Sequence, residues 1–214
     1  MYICLMIRFL LKIPRATYLL ASIFIFIFIS PLFLKSSFYQ FTNLISYSII
    51  FFATNFAIKK RTILIKSLLY IGVLLQVILL FSETKIFLLS SFLFSGIVFT
   101  IVSILLILQI ARTKEINLEV VIEAISGYLL IGIIATILNS IILIFNPDAI
   151  SNIQDIGDTI YFSFITLTTI GYGEIIPISP MARNISLITG ITGQLYLTII
   201  IAVIVGKVSS SSNK

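Results

Sequence analysis

Long apolar runs, separated by short polar breaks, divide the chain. A membrane-crossing helix needs about 20 apolar residues, within a range of about 17–25. Runs of this kind lie at 17–34, 43–58, 62–81, 86–110, 125–145 and 181–206. The second is short and gains length if it borrows from 38–42. The breaks Lys35-Ser36-Ser37, Lys59-Lys60-Arg61 and Ser82-Glu83-Thr84-Lys85 are just long enough to turn between antiparallel helices. Asn146-Pro147-Asp148 ends the fifth run, because proline cannot continue a helix. A further aromatic stretch, 159–168, is too short to cross, and Asp158 offers it a helix cap. It must enter the apolar layer and return. Such backbone is tolerated at depth only where protein buries it or it lines a water-filled path. Ser179-Pro180 opens the last run. The pattern predicts an all-α membrane protein, with six transmembrane helices and a re-entrant helix between the fifth and sixth.

Composition excludes the main alternative. The chain is 59% hydrophobic and 10% charged, with a mean hydropathy of +1.20. No soluble domain of 214 residues hides that much apolar surface. Cys4 is the sole cysteine, so no intrachain disulfide is possible and no cysteine metal site is suggested. Histidine is absent, so no ordinary side chain titrates near neutrality. No nucleophile–base or metal-ligand set stands out, and neither an enzyme nor a cofactor is expected.

The net charge of +6 raises nucleic acid as a partner, but the placement of the charges argues for membrane orientation instead. With a cytoplasmic amino terminus, the inner side holds Arg8, Lys12, Arg15, Lys59, Lys60, Arg61, Lys66, Arg112, Lys114, Lys207 and Lys214. The outer side holds Lys35, Lys85 and Arg183. Eleven against three sets both termini in the cytoplasm of a multi-pass protein of the cell (inner) membrane. It also puts Asp148, Asp155, Asp158 and Glu174 on the outside.

Residues 1–16 read as a basic amphipathic lead-in on the bilayer surface. No small-residue cleavage site follows the next apolar run, so that run is read as a span and not as a leader. Residues 17–110 then form a four-helix membrane domain. In 111–124, Glu115, Glu119 and Glu123 recur every four residues, as in a linker helix with a solvated face. The last two long runs and the short stretch between them form a unit over 125–207, and the serine-rich 208–214 reads as a disordered tail.

One stretch is neither greasy nor generic: Thr166-Leu167-Thr168-Thr169-Ile170-Gly171-Tyr172-Gly173-Glu174. A pathway for a bare cation needs oxygens that replace its water shell. Backbone carbonyls do this only if successive peptides aim them at one axis, which requires unusual backbone angles at alternate positions. Glycine reaches these without steric cost, and Gly171 and Gly173 alternate. Thr169 adds a hydroxyl oxygen.

Thr169-Ile170-Gly171-Tyr172-Gly173 resembles the selectivity filter of prokaryotic potassium channels with a two-helix pore domain. The likeness extends over about 120–207. Tyr161 to Thr168 resembles the family's pore helix. Pro177 resembles its outer-mouth turn, and Gly193-Gln194-Leu195-Tyr196-Leu197 its inner helix. The resemblance implies that carbonyls of Thr169, Ile170, Gly171 and Tyr172 line a queue of K+ ions, the Thr169 hydroxyl closing the inner end. Gly173 completes the filter. The side chains of Ile170 and Tyr172 face away and brace it. Tyr161, Phe162, Thr168 and Glu174 support it from behind, although ordinary packing explains Tyr161 and Phe162 equally well. The carboxyl end of the short helix aims its partial negative charge at the pore. One pore loop per chain implies a homotetramer in the lipid bilayer.

Two positions depart from the family pattern. Glu174 stands where most members carry aspartate, and Ile165 where some place an acid behind the filter. The hydrogen-bond clamp of those members is therefore open to question. Gly193 sits where the family places a gating hinge, but small residues also let membrane helices pack closely. The first four spans match a voltage sensor in number but not in charge. Residues 86–110 contain no lysine or arginine, so steep voltage gating is not expected. The last span ends near the end of the sequence, so no nucleotide- or calcium-binding domain is expected. A nonselective cation channel and a subunit of a potassium uptake transporter are the competing readings. No internal repeat of the filter accompanies it, as a transporter chain would carry.

Overall fold

The computed structural model describes residues 14–33, 39–59, 63–79, 84–113 and 115–212. Most of the amino-terminal lead-in, the break 35–37, Lys60, Arg61, Ser82, Glu83, Lys114 and the last two residues lie outside them. Among the described residues the fold is all-helical, and the only β feature is an isolated bridge between Ile150 and Pro177.

Among the described residues seven α-helices follow in order: α1 (Ala16–Phe24), α2 (Tyr39–Ala57), α3 (Ile63–Leu79), α4 (Lys85–Arg112), α5 (Leu118–Phe145), α6 (Ile156–Leu167) and α7 (Pro180–Ser212). A π segment (Ile25–Ile29) and a 3-10 turn (Ser30–Phe33) extend α1. Pro31 explains the change of winding. It has no N–H, and its ring crowds the carbonyl four residues back, so regular i→i−4 pairing fails here. Ser30 N–H bonds five residues back, to Ile25 O. The helix α2 begins at Tyr39, so the short second run does extend towards its amino end.

Among the described residues three helices are long and apolar enough to cross a membrane: Lys85–Arg112, Leu118–Phe145 and the Pro180–Ser209 part of α7. At 1.5 Å per residue, the 28 residues of α5 reach about 42 Å. α5 is the hub, touching α1, α4, α6 and α7. One apolar core joins both halves of the chain. Ile23, Phe51 and Phe99 from the first half pack in it with Leu130, Ile133 and Ile137 from α5.

Three sequence expectations are corrected. Among the described residues of 111–124 there is no separate linker helix. Asn117 caps α5 by accepting from Val120 N–H at 3.1 Å, and the helix then runs unbroken through Phe145. The three glutamates do not form a solvated face. Glu115 precedes the helix, and Glu123 is fully buried with a carboxylate oxygen 3.0 Å from Lys59 Nζ. Glu119 lies 3.7 Å from the same ammonium. Finally, α7 continues to Ser212, past the expected end at 206. Serine is only mildly unfavourable in a helix. Lys207 Nζ also ties this part of α7 to α4, donating to the carbonyls of Ile110 and Ala111 at 2.8 Å and Thr113 at 2.6 Å. Those are orphan acceptors at the end of α4, where a cation also meets the negative end of the helix dipole.

Candidate ion-conducting site

The site begins with a capping box. Asp155, not Asp158, is the N-cap of α6: its side chain accepts from Asp158 N–H at 3.1 Å. Asp158 answers from the third position, accepting from Asp155 N–H at 3.4 Å and also from Gln154 N–H at 2.7 Å. The reciprocal pair satisfies donors that the helix start leaves open. This starts the helix at Ile156, three residues before the expected 159.

α6 is seated between α5 and α7 by its inward face. Phe162 is buried in a cluster with Ile142, Ala149, Ile150, Ile175 and Ala182, so core packing accounts for it. Asn139 of α5 donates to Ser163 Oγ at 3.0 Å, and Ser163 donates to Thr159 O. At the other end, Tyr128 Oη donates to Leu167 O at 3.2 Å. Gly193 of α7 faces that same carbonyl. A Cβ added to Gly193 would lie 2.6 Å from Leu167 O and 2.8 Å from Leu167 Cδ1. The missing side chain is what lets the two helices meet here.

Beyond Leu167 the chain reverses. Thr168 N–H bonds to Phe164 O at 2.9 Å, and Thr168 Oγ1 donates to the same oxygen. Thr169 N–H bonds to Thr166 O at 3.1 Å. Ile170 and Gly171 both donate to Ile165 O, at 3.0 and 3.2 Å. Three alternate residues then take positive φ: Thr169 at 58°, Gly171 at 52° and Gly173 at 90°. Glycine reaches this region freely, and an added Cβ at either glycine would meet nothing within 4 Å. Their constraint is therefore one of backbone angle, not of space. Thr169 is β-branched, and such a residue at positive φ is a true outlier that costs about 1–3 kcal/mol.

The segment is open on its far side. Ile170 and Tyr172 are 55% and 74% exposed, so within one chain they brace nothing. The Glu174 carboxylate beside the Tyr161 hydroxyl holds the phenol up at about 12. Asn152, itself at φ 57°, donates from Nδ2 to Glu174 O at 2.7 Å. Ile178 and Ser179 N–H both reach Ala149 O, which pins the returning strand to the turn after α5. Asp148 is exposed on that turn.

Three contributors escape the sequence pattern. Asn152 carries a signal, since asparagine is favoured in left-handed turns. Gln194, which donates from Nε2 to Thr169 Oγ1 at 3.3 Å, also carries one: an amide in the middle of an apolar run. Tyr128 carries none, because a tyrosine in a membrane-length helix looks like its neighbours.

The sequence of this region is matched among known proteins. Residues 125–210 fit the family model described as an ion channel. A voltage-gated potassium channel of Aeropyrum pernix is 31% identical over 65 residues, which is 30% of this chain and 22% of that protein. The chain thus aligns with about a fifth of that relative's length. No solved structure matches. The family match falls on most of α5, on α6 and α7 and on the Thr169–Gly173 segment between them, and this part of the chain is similar to ion channels.

Proposed function

We infer that the protein is a subunit of a potassium-selective channel, four copies of which enclose one pore for passive K+ flow across the cell (inner) membrane. The observation that carries this reading is the run of positive φ at Thr169, Gly171 and Gly173. A strand wound this way turns successive carbonyls towards one side, as an oxygen cage for a dehydrated cation requires. Thr169, Ile170, Gly171 and Tyr172 supply the cage. The Thr169 hydroxyl closes its inner end, and Gly173 allows the exit turn. One chain contributes one wall. The exposure of Ile170 and Tyr172 supports neighbouring copies, since those side chains need a partner to brace the filter.

On this reading α1–α4, α5 and α7 give six spans, and α6 enters and returns. The charges fit a cytoplasmic placement of both termini. Lys59, Arg112 and Lys207 gather where α2, α4 and α7 end and α5 begins. Asp148, Asp155, Asp158 and Glu174 lie at the opposite, outer end, and there they raise the local cation concentration. The buried polar residues of α3 and α4 are neutral, so the front helices carry no voltage sensor.

The test is current through purified protein in planar bilayers under opposed K+ and Na+ gradients. Reversal potentials that follow K+ are expected, together with a tetramer in crosslinking. Equal permeability of the two ions leaves a nonselective cation channel.

A further inference from the structure

The middle of an apolar, membrane-length helix is an unfavourable place for a carboxamide, and one kept there has a partner or faces water. Gln194 stands on α7 among Ile, Leu, Thr and Tyr. It is exposed within the single chain and reaches across to another element, donating from Nε2 to Thr169 Oγ1 over 3.3 Å. The neighbouring Gly193 brings α7 against the end of α6, since any Cβ there would crowd Leu167 O. The packing that places Gln194 and the bond it makes are therefore one arrangement.

The acceptor is the strained residue of the filter segment. Thr169 holds φ 58° with its N–H bonded to Thr166 O, which fixes its backbone. Rotation about χ1 would still swing its hydroxyl to another direction. A threonine oxygen has two lone pairs and one hydrogen. With Gln194 N–H on one lone pair, the oxygen is held in place and its second lone pair stays available.

We propose that Gln194 is a positioning residue for the innermost ion site, holding the Thr169 hydroxyl so that its oxygen faces the permeant cation. The proposal rests on the channel reading above. It concerns how the inner end of the oxygen cage is set, and the device is neutral. A side-chain amide orients the oxygen without adding fixed charge beside the ion. A Gln194 that merely faced water would act independently of Thr169, and this difference can be measured.

The experiment uses the full chain reconstituted in planar bilayers, with Ba2+ on the cytoplasmic side as probe. Ba2+ is a doubly charged ion of nearly the radius of K+, so it reports the innermost oxygens. The wild-type protein is first tested for K+ over Na+ selectivity. Failure there removes the channel reading itself. Gln194→Met keeps the length and removes the N–H. Gln194→Asn keeps the amide but is one methylene too short. Each is expected to raise the half-blocking Ba2+ concentration by about three- to tenfold, the range for one lost hydrogen bond. In a Thr169→Val background, which lacks the hydroxyl, the same substitutions should change it by less than about twofold, as coupled neighbours do. Where a variant carries no current, the comparison is made on the K+ concentration that half-maximally raises the unfolding temperature. Unchanged affinity in both Gln194 variants overturns the proposal. So does an equal change with and without the Thr169 hydroxyl.

Discussion

Gln76 in the first half of the chain and Thr169 in the second are both polar side chains set among apolar ones, and the fold treats them in opposite ways. Gln76 is buried between α3 and α4, where its Nε2 donates to Ser91 Oγ at 2.9 Å and Ser95 Oγ at 3.2 Å. The group is neutral and internal to the chain. Thr169 is exposed, strained, and part of a segment whose large side chains point away from any support in the same chain. The first half packs into one apolar core with α5. The second holds its unusual backbone by bonds from α5, α7 and the outer turn, and it leaves one side open. A packed helical scaffold carries a short segment that is costly to form, which is how strain persists at a functional site. At the boundary between the halves an ion pair adds to the apolar core: Lys59, just after α2, meets Glu123 in α5.

The largest expected effect lies in the strained segment. Gly171→Ala should abolish selective current while the protein still reaches the membrane in normal amount. The added methyl has free space around it, so its penalty comes from φ alone, about 1–2 kcal/mol in each copy. Bilayer recordings beside a membrane-fraction blot check this. Wild-type selectivity in the variant would detach Gly171 from conduction.

Next comes the contact that holds the segment from behind. Gly193→Ala forces α7 away from Leu167 O and should lower stability by about 1–3 kcal/mol, read by thermal unfolding in detergent. A hinge with no packing role would tolerate alanine without that loss. The ion pair at the boundary gives a comparable figure. Lys59→Met leaves the buried Glu123 carboxylate unpaired. The expected loss is about 2 kcal/mol, below the usual 3–5 for a fully buried pair because Lys59 is half-exposed. Glu123→Leu added to it should restore most of that loss, and no recovery would mean the pair is not the reason.

A smaller effect belongs to the outer clamp. Tyr161→Phe removes the hydroxyl that serves Glu174 and should hasten the decay of current, with selectivity kept. The Tyr161 phenol is raised to about 12 by the Glu174 carboxylate beside it, so the contribution of that pairing is full below the ordinary phenol value and is lost as pH rises through the raised one. External pH up to about 9 should leave decay unchanged, since an ordinary phenol titrates only near 10. A decay rate that rises between neutrality and pH 9 would assign the clamp to another group.

The smallest effect tests the first half directly. A sensor gains about 2.3 kcal/mol per 100 mV for each elementary charge moved, and steep gating uses three to four per subunit. α4 has Lys85 and Arg112 at its ends and neutral residues between. Open probability from about −100 to +100 mV should therefore be shallow or flat. An e-fold change within a few millivolts would show that charge elsewhere crosses the field.

The filter segment and the two helices around it were legible because each depends on local chemistry. Asn146-Pro147 marked the end of α5, and Ser179-Pro180 the start of α7, because proline acts on its own backbone. Alternate glycines marked the positive angles at 171 and 173 for the same reason. The start of α6 was less legible. Both Asp155 and Asp158 can cap, and only the reciprocal bonds show which is outermost.

The sequence by itself determined the membrane class, the long apolar helices, and the position of the segment whose alternate glycines take positive φ. Period, length and glycine placement are properties of neighbouring residues. Tertiary structure decided whether Glu123 would be solvated or buried, whether Gly193 would stand open or against a carbonyl, and which side chain would meet the Thr169 hydroxyl. Each of those depends on residues far apart in the chain, at separations of 64, 26 and 25 positions. Local pattern carries no record of such pairs, because an apolar helix can turn any of its faces to a neighbour until the core fixes one.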